Sequence, residues 1–298
     1  MEILIWTLVI ILALAIIFLV IGAVAALTLT RVGDHPQFND DPGSFGLEFT
    51  GVTFLSRLDQ IKIAGWFIPN PDADRAIILV HGRNASKQNA ISGQIPRLAA
   101  ELHAAGLAVL MIDLRGHGES EGKRYTFGAH ERRDVLGAVD FLKERGFGAG
   151  QIAVLGISLG GAAVIGAAAE EDAIGAIVVE STFADINLLI APNWKAESSL
   201  PNFFLPGVFW MWWVLMGFNL KKVKPVEELV RIPPRPILIL HSWTDEMIDV
   251  QHAYALKNAV PEADLVIFDK CEHAELFRDQ SAAYLQAVIS FLQDRWFS

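Results

Sequence analysis

The sequence predicts an α/β fold with a mostly parallel central sheet and helices on both of its faces. Short apolar runs of strand length alternate with segments of helical periodicity over most of the 298 residues, and such alternation is typical of parallel sheets. The strand-like runs are apolar throughout, which is typical of strands covered on both sides. A glycine-flanked serine also stands directly between one such run and the helix that follows it.

The chain opens with an apolar segment, residues 3–29, that contains no charged residue. About 20 such residues cross the hydrocarbon core of a bilayer, so this segment is long enough to span it with some tilt. A cleaved signal peptide would carry Lys or Arg ahead of a shorter apolar core, whereas only Met1 and Glu2 precede this one. We therefore expect residues 1–30 to form an uncleaved, single-pass membrane anchor. Arg31 follows the span and favours a cytoplasmic position for the rest of the chain.

Residues 31–46 are polar and rich in Asp, Pro and Gly, and they predict a tether between the anchor and a domain at residues 47–298. The first two strands of this domain are expected to pair antiparallel. We predict strands at residues 52–57, 61–68, 76–80, 108–113, 152–156, 175–180, 236–241 and 265–269. We predict helices at residues 88–105, 129–146, 159–170, 251–259 and 275–296.

An insert at about residues 183–232 interrupts this alternation. Residues 198–220 within it carry no charge and include many Phe and Trp. Pro201, Pro206 and Gly207 leave an apolar helix too short for a second membrane span. A crossing would also place the end of the chain on the opposite side of the membrane from the serine described above. We interpret the insert as a helical cap over the active site.

The pattern G-x-S-x-G at residues 156–160 follows the apolar run 151–155 and precedes small, helix-compatible residues at 161–169. Strand, G-x-S-x-G and helix, in this order, indicate a nucleophile elbow, in which a strained turn makes the serine hydroxyl protrude. The glycines on either side allow the neighbouring backbones to approach. Ser158 is therefore the candidate nucleophile.

Four further motifs come directly after predicted strands. They are H-G-R-N at 81–84, D-L-R-G-H-G-E-S at 113–120, H-S-W-T-D-E-M-I at 241–248 and K-C-E-H-A-E at 270–275. With the elbow, they make residues 54–296 resemble the α/β-hydrolase superfamily, especially its serine-hydrolase branch with a small cap. The resemblance implies an α/β-hydrolase fold. The third motif departs from the family pattern at Ser242, where glycine is usual, and just after it at Asp249, where proline is common.

The resemblance also implies the roles of individual residues. Ser158, Asp245 and His273 correspond to the nucleophile, acid and base, in the chain order expected for this fold. The backbone N–H groups of Arg83 and Leu159 correspond to the oxyanion hole, whose fixed donors stabilise the charge that develops on the acyl oxygen. Some relatives take the acid from an earlier strand end, which here is Glu180, so this residue stays as the alternative to Asp245.

Other candidate residues are interpreted as structural. In the 113–120 motif, we expect Asp113 to fix the turn and Arg115 to bind loop carbonyls. His117 precedes the nucleophile, whereas the base of this family comes last, so it is not the expected base. Cys271 is expected to be a packed neighbour of the site. As the only cysteine, it excludes an internal disulfide.

Composition excludes several other functions. A formal net charge of −10 opposes nucleic-acid binding, which needs a basic surface. The sequence contains neither zinc-ligand spacing nor an EF-hand or P-loop pattern, so neither a metal nor a cofactor is expected.

These features predict a membrane-anchored serine hydrolase that cleaves carboxylic esters through an acyl-enzyme on Ser158. The expected partners are the membrane and a small-molecule or lipid ester. Phe209, Trp210 and Trp213 are the candidates for contact with an apolar substrate, because Phe and Trp suit the membrane interface. Thioester hydrolysis, peptide hydrolysis and a catalytically silent scaffold with this fold remain as alternatives. The sequence sets neither the acyl chain nor the oligomeric state.

Overall fold

The computed structural model describes residues 1–33, 36 and 38–297, and it divides the chain into two compact units. The first unit combines Met1–Arg31 with Asp185–Val223, and the second combines Val32–Ala184 with Lys224–Ser298. Asp34 and His35, which belong to the predicted tether, lie outside the described residues.

Among the described residues, an eight-stranded sheet forms the centre of the second unit. Its strands are β1 (Thr50–Leu55), β2 (Lys62–Ile68), β3 (Ala76–Val80), β4 (Ala108–Ile112), β5 (Ile152–Ile157), β6 (Ile174–Glu180), β7 (Ile237–Ser242) and β8 (Asp264–Phe268). They lie in the order β1-β2-β4-β3-β5-β6-β7-β8. β2 runs antiparallel to β1 and β4, and the other neighbouring strands are parallel. The prediction of a mostly parallel sheet is confirmed.

The described part of the chain contains ten α-helices. They are α1 (Glu2–Leu29), α2 (Ile95–Ala104), α3 (Arg132–Lys143), α4 (Leu159–Ala168), α5 (Ile186–Ser198), α6 (Leu205–Met216), α7 (Pro225–Leu229), α8 (Gln251–Ala259), α9 (Leu276–Asp279) and α10 (Ser281–Arg295). Short 3-10 helices lie at Pro42–Phe45, Asn202–Phe204 and Leu220–Lys222.

Strand β3 shows how the sheet is covered. Successive side chains of a strand point to opposite faces. Ile78 and Val80 pack in one apolar cluster with residues of α3, α4 and α8. Ile77 and Leu79 pack in a second cluster with residues of α2 and α10. All four side chains are fully buried, so helices cover both faces of the sheet, as the apolar strands predict.

Two predicted helices are wrong in part. The segment expected to be helical from residue 88 becomes helical only at Ile95, because Ile91, Ser92 and Gly93 have positive φ angles that a right-handed helix excludes. The helix predicted at 275–296 is divided into α9 and α10. Gln280 separates them with non-helical φ and ψ angles of −139° and 54°.

The first unit contains the N-terminal helix and the insert. Among the described residues, α1 is the one helix that is long and apolar enough to cross a membrane. In the insert, Asp185 caps α5 by accepting a hydrogen bond from the N–H of Asn187 at 2.8 Å. The indole N–H of Trp194 donates to the carbonyl oxygen of Pro201 at 3.1 Å and closes the turn that leads to α6. α6 ends at Met216, and Gly217 after it has a φ of 73°.

Candidate active site

A strained turn connects β5 to α4. The strand ends at Ile157, the helix begins at Leu159, and Ser158 between them has φ 55° and ψ −116°. Such a conformation costs a non-glycine residue about 1–3 kcal/mol and is commonly kept at functional sites. The N–H of Ser158 donates to the carbonyl oxygen of Glu180 at 2.7 Å. This bond ties the turn to the end of β6 and supports the serine in its strained conformation.

The glycines on either side of Ser158 are required by close backbone contacts. A Cβ atom on Gly156 would lie 2.6 Å from the carbonyl oxygen of Gly160. A Cβ atom on Gly160 would lie 2.5 Å from the carbonyl oxygen of His81. Neither position therefore accepts a side chain without movement of the backbone.

The structure brings Ser158, His273 and Asp245 together from three separate parts of the chain. The Nε2 atom of His273 lies 3.0 Å from the Oγ atom of Ser158, and its Nδ1 atom lies 2.8 Å from Oδ2 of Asp245. A carboxylate at Nδ1 favours the tautomer with the proton on that nitrogen, which leaves Nε2 free to accept the serine proton. This is the arrangement of a nucleophile, a base and an acid.

Asp245 is held as an ionised carboxylate. Its side chain is fully buried, and its Oδ1 atom accepts hydrogen bonds from the N–H groups of Met247 at 2.9 Å and Ile248 at 2.8 Å. Burial opposes the charge, but the hydrogen bonds from His273 and from Ile248 outweigh burial and hold the pKa of Asp245 below its usual range.

His241 supports the turn that carries Asp245. Its Nε2–H donates to the carbonyl oxygen of Ile248 at 2.7 Å, and the same nitrogen lies 3.6 Å from Oδ2 of Asp245. Burial lowers the pKa of His241, so the imidazole is neutral. The sequence interpretation includes this residue only as the first letter of a motif, and gives it no role.

Ser242 joins the loop of the acid to the loop of the histidine. Its hydroxyl donates to the carbonyl oxygen of Cys271 at 2.7 Å, and its oxygen accepts from the N–H groups of Cys271 and Thr244, each at 3.2 Å. The serine that departs from the family pattern is thus a buried connection between two loops. The thiol of Cys271 is itself buried, and burial raises its pKa, as suits a packed neighbour.

Glu180, the alternative acid, has other partners. Its Oε2 atom accepts a hydrogen bond from the hydroxyl of Tyr284 at 2.9 Å, and its Oε1 atom accepts from the N–H of Leu276 at 3.3 Å. Complete burial raises the pKa of Glu180 to about 7. The carboxyl therefore connects β6 to α9 and α10, whereas the described acceptor for Nδ1–H of His273 is Asp245.

The pH dependence of thermal stability should reveal this buried carboxyl. With a pKa of about 7 in the native state and an ordinary value of 4.5, Glu180 keeps a proton that the unfolded state releases between these pH values. Native stability should therefore fall as pH rises through this window, by about 3 kcal/mol at most. Gln at this position cannot ionise. The Tm of Glu180→Gln minus the Tm of the wild type should therefore increase as pH rises through the same window.

Scanning fluorimetry of the full chain in detergent, with both proteins at a series of pH values across the window, measures this difference. A Tm difference that does not change with pH would contradict a protonated Glu180 in the native state.

The loop after β3 passes close to the nucleophile. A Cβ atom on Gly82 would lie 3.2 Å from Cβ of Ser158, and Arg83 is the next residue. On the other side of the serine, Leu159 is the first residue of α4, and the N–H groups of the first helical turn have no partner within the helix. Leu159 thus adjoins Ser158 in sequence, and the backbone of Gly82, just before Arg83, lies close to Ser158 in space. The oxyanion hole formed by the N–H groups of Arg83 and Leu159 stays a prediction.

Two buried histidines hold this loop in place. Nε2 of His81 accepts from the N–H of Leu114 at 3.0 Å, and its Nδ1–H donates to the carbonyl oxygen of Gly82 at 2.7 Å. Nε2 of His117 accepts from the N–H of Asn84 at 3.2 Å. Both rings must be neutral to accept these bonds. His117 therefore positions the loop and is not the base, in agreement with the sequence interpretation.

The comparisons with known proteins concern the fold of this chain. A family model described as "Serine aminopeptidase, S33" matches residues 71–208, a little under half of the chain. The Pyrococcus furiosus esterase Pf2001 superposes with a TM-score of 0.72 at 22% identity, over 89% of this chain and 100% of the esterase chain. The chain has the α/β-hydrolase fold. Its eight-stranded sheet and the strand-to-helix turn at Ser158 are the features that this fold shares.

Curated proteins that are similar in sequence to this chain include one from Salmonella typhi and one from Aspergillus aculeatus. The chain is 28% identical over 308 residues to the uncharacterized protein YfhR of Salmonella typhi, and this alignment covers 93% of this chain and 96% of that protein. It is 30% identical over 145 residues to the thiohydrolase aneE of Aspergillus aculeatus, and this alignment covers 46% of this chain and 44% of that protein.

The 113–120 motif contains two residues that form buried ion pairs, Asp113 and Arg115. Oδ2 of Asp113 accepts from the N–H of Glu119 at 2.9 Å, so Asp113 fixes the turn as expected. The expectation that Arg115 binds loop carbonyls is wrong. Its guanidinium instead contacts the carboxylates of Asp134 at 2.7 Å and Asp59 at 2.6 Å, because a buried guanidinium needs charged partners more than it needs neutral ones.

The three aromatic candidates for substrate contact lie on α6, in the first unit, whereas Ser158 lies in the second. Trp210 and Trp213 are exposed, and Phe209 is partly covered by Lys221, whose Nζ atom lies 4.9 Å from the ring centroid. Their contact with substrate stays a prediction.

Proposed function

We propose that this protein is a membrane-anchored serine hydrolase that cleaves carboxylic esters. The observation that carries the proposal is the hydrogen-bonded series from Ser158 through His273 to Asp245, with distances of 3.0 and 2.8 Å. Such a series activates a serine hydroxyl that is otherwise a weak nucleophile at neutral pH. The esterase that shares the fold agrees with this assignment.

The reaction proceeds through an acyl-enzyme. His273 takes the proton of Ser158 as the serine oxygen attacks the acyl carbon, and Asp245 stabilises the imidazolium that forms. The N–H groups of Arg83 and Leu159 stabilise the negative acyl oxygen, a contribution worth about 10²–10³ in rate per donor. The imidazolium then gives its proton to the leaving alkoxide, and a water molecule, activated by the same histidine, releases the acid.

The proposed domain organisation is an anchor at residues 1–30, a tether at 31–46 and a hydrolase domain at 47–298 that carries the insert. Two contacts support a retained anchor. The ring of Phe18 stacks on that of Phe204, and Gly22 lies against the backbone of Gly207. Removal of α1 as a signal peptide would expose this apolar face of α6. The cytoplasmic position of the domain depends on Arg31 and stays a prediction.

The proposed substrate is a small-molecule or lipid ester, whose apolar part would contact Phe209, Trp210 and Trp213. Thioester hydrolysis is the second candidate, and the similarity to a thiohydrolase over 145 residues favours it. Esters and thioesters pass through the same acyl-enzyme and differ in the leaving atom.

A fluorophosphonate probe tests the nucleophile, and a panel of p-nitrophenyl esters, acyl thioesters and aminoacyl anilides tests the substrate class. We expect covalent labelling of the full chain in detergent, with the label at Ser158 by mass spectrometry, and faster turnover of esters than of anilides. Absence of labelling with a folded protein would indicate a catalytically silent scaffold. Turnover of thioesters alone would favour the second candidate over the first.

A further inference from the structure

The first unit contains a packed pair of apolar helices, α1 and α6. The rings of Phe18 and Phe204 stack with centroids 5.3 Å apart. A Cβ atom on Gly22 would lie 3.0 Å from the backbone of Gly207, and a Cβ atom on Gly207 would collide with the ring of Phe18. Glycine at a crossing allows apolar helices to approach closely, as in pairs of membrane helices. The insert is therefore attached to the N-terminal helix by direct packing.

We propose that this packing places the tip of the insert (residues 199–204) and the tryptophan-bearing face of α6 in the membrane interface, so that the partner of this surface is a phospholipid bilayer. The proposal rests on the transmembrane role proposed above for α1. It adds a second point of membrane contact, far from the anchor in sequence.

The length of α1 sets the depth of the contact. The charge of Glu2 keeps this residue out of the hydrocarbon core, and about 20 apolar residues from Ile3 onward fill the core and end near Gly22. Residues 3–17 are all exposed, as suits a segment surrounded by lipid. The contact between Gly22 and Gly207 thus lies near the boundary between hydrocarbon and headgroups.

The direction of α6 places its tryptophans in the headgroup region. In both segments the phenylalanine precedes the glycine: Phe18 and Gly22 contact Phe204 and Gly207, respectively. α1 and α6 therefore run in the same direction, and α6 leads away from the hydrocarbon core. Trp210 and Trp213 lie three and six residues beyond Gly207, about 4.5 and 9 Å further along the helix axis. They are 48% and 55% exposed. Tryptophan is enriched at this depth because it has both an apolar ring and a polar N–H.

Charged residues limit how deeply the insert can enter the membrane. Lys195 and Glu197 are exposed near the end of α5, next to the tip of the insert, and charges are costly in the hydrocarbon core. Lys221 and Lys222 follow α6 and suit the phosphate groups of anionic lipids. Phe203, which is 63% exposed in the tip, is expected to reach the upper part of the acyl chains, next to Phe204 on Phe18.

Depth-dependent quenching tests this surface. A fluorophore is attached at Phe203→Cys in a Cys271→Ala background, in the full chain reconstituted into phosphatidylcholine and phosphatidylglycerol vesicles. A nitroxide near the lipid headgroup should quench it more strongly than a nitroxide near the acyl-chain end. The same fluorophore in vesicles without nitroxide lipid gives the unquenched reference. Equal fluorescence of the Phe203→Cys probe with and without nitroxide lipid would overturn the proposal.

A matched pair of substitutions tests whether α1 holds the insert at this depth. Leucine at Gly22 suits a membrane span but clashes with Gly207, so Gly22→Leu should keep vesicle flotation and lose most of the quenching. Val24→Leu, at an exposed position of α1, should retain quenching. Undiminished quenching in Gly22→Leu would overturn attachment to α1 as the cause.

Fluorophosphonate labelling of the same vesicles separates this proposal from the proposed function. Labelling without quenching would reject the membrane surface alone, whereas quenching without labelling of a folded protein would reject the serine hydrolase alone.

Discussion

Replacement of Ser158 by alanine is expected to lower the turnover of an ester substrate by about 10⁴–10⁶, because the acyl-enzyme cannot form without the serine oxygen. The activity that remains would come from substrate binding and from oxyanion stabilisation. Hydrolysis of a p-nitrophenyl ester by the purified full chain in detergent measures this effect. Fluorophosphonate labelling of the same variant should be lost.

The fold should survive this substitution. The side chain of Ser158 makes one described hydrogen bond, to His273 at 3.0 Å, and the strained turn is supported by the backbone bond to Glu180, which alanine retains. An unchanged Tm would show that the loss is chemical. Cys271→Ala is the matched control, because it removes the other nucleophilic side chain near the site and should leave labelling intact. Turnover close to that of the wild type in Ser158→Ala would reject the proposed nucleophile.

The sheet could be predicted from the sequence because its strands are short apolar runs between polar turns. β3 and α8 have the predicted bounds, and the other predicted strands differ from the observed ones by a few residues. The start of α2 was not predictable in the same way. Ile91 and Ser92 are common helix residues, and their positive φ angles depend on how the loop packs, which no local pattern records.

Some residues of the candidate site could be predicted from sequence motifs, and others could not. Ser158 and His273 could be proposed because each follows a strand in a motif that marks its place in the fold. The supporting residues could not. His117 reaches the loop at Asn84 across 33 residues, and Ser242 reaches Cys271 across 29. These contacts exist only after the loops meet at one edge of the sheet. The unusual serine at position 242 was the one available signal.

The attachment of the insert to α1 also depends on tertiary structure. The sequence shows two apolar segments, each with a glycine, and glycine is common in membrane helices. Only the packing of Gly22 against Gly207 shows that these two glycines belong to one contact. The sequence interpretation accordingly treats the anchor and the insert as separate elements.

Replacement of Asp245 by asparagine is expected to lower kcat by about 10³–10⁴ with little change in KM. The amide of asparagine can donate a hydrogen bond to Nδ1 of His273, which favours the tautomer with its proton on Nε2. That proton then faces Ser158, so the histidine cannot act as a base. The variant also removes the negative charge that stabilises the imidazolium during the reaction.

Glu180→Gln is the matched control for this prediction, since it makes the same carboxylate-to-amide change at the other candidate acid. Glu180 bonds to Tyr284 and Leu276, so kcat should stay close to the wild-type value while the pH dependence of Tm changes. Steady-state kinetics of the two variants and the wild type, at one pH and with one ester, provide the comparison. The opposite result would be a mild effect of Asp245→Asn and a large fall of kcat in Glu180→Gln. It would identify Glu180, at the end of β6, as the acid of the triad. The loop after β7 would then hold a buried carboxylate whose role is structural, because its Oδ1 atom would still organise the backbone N–H groups of Met247 and Ile248.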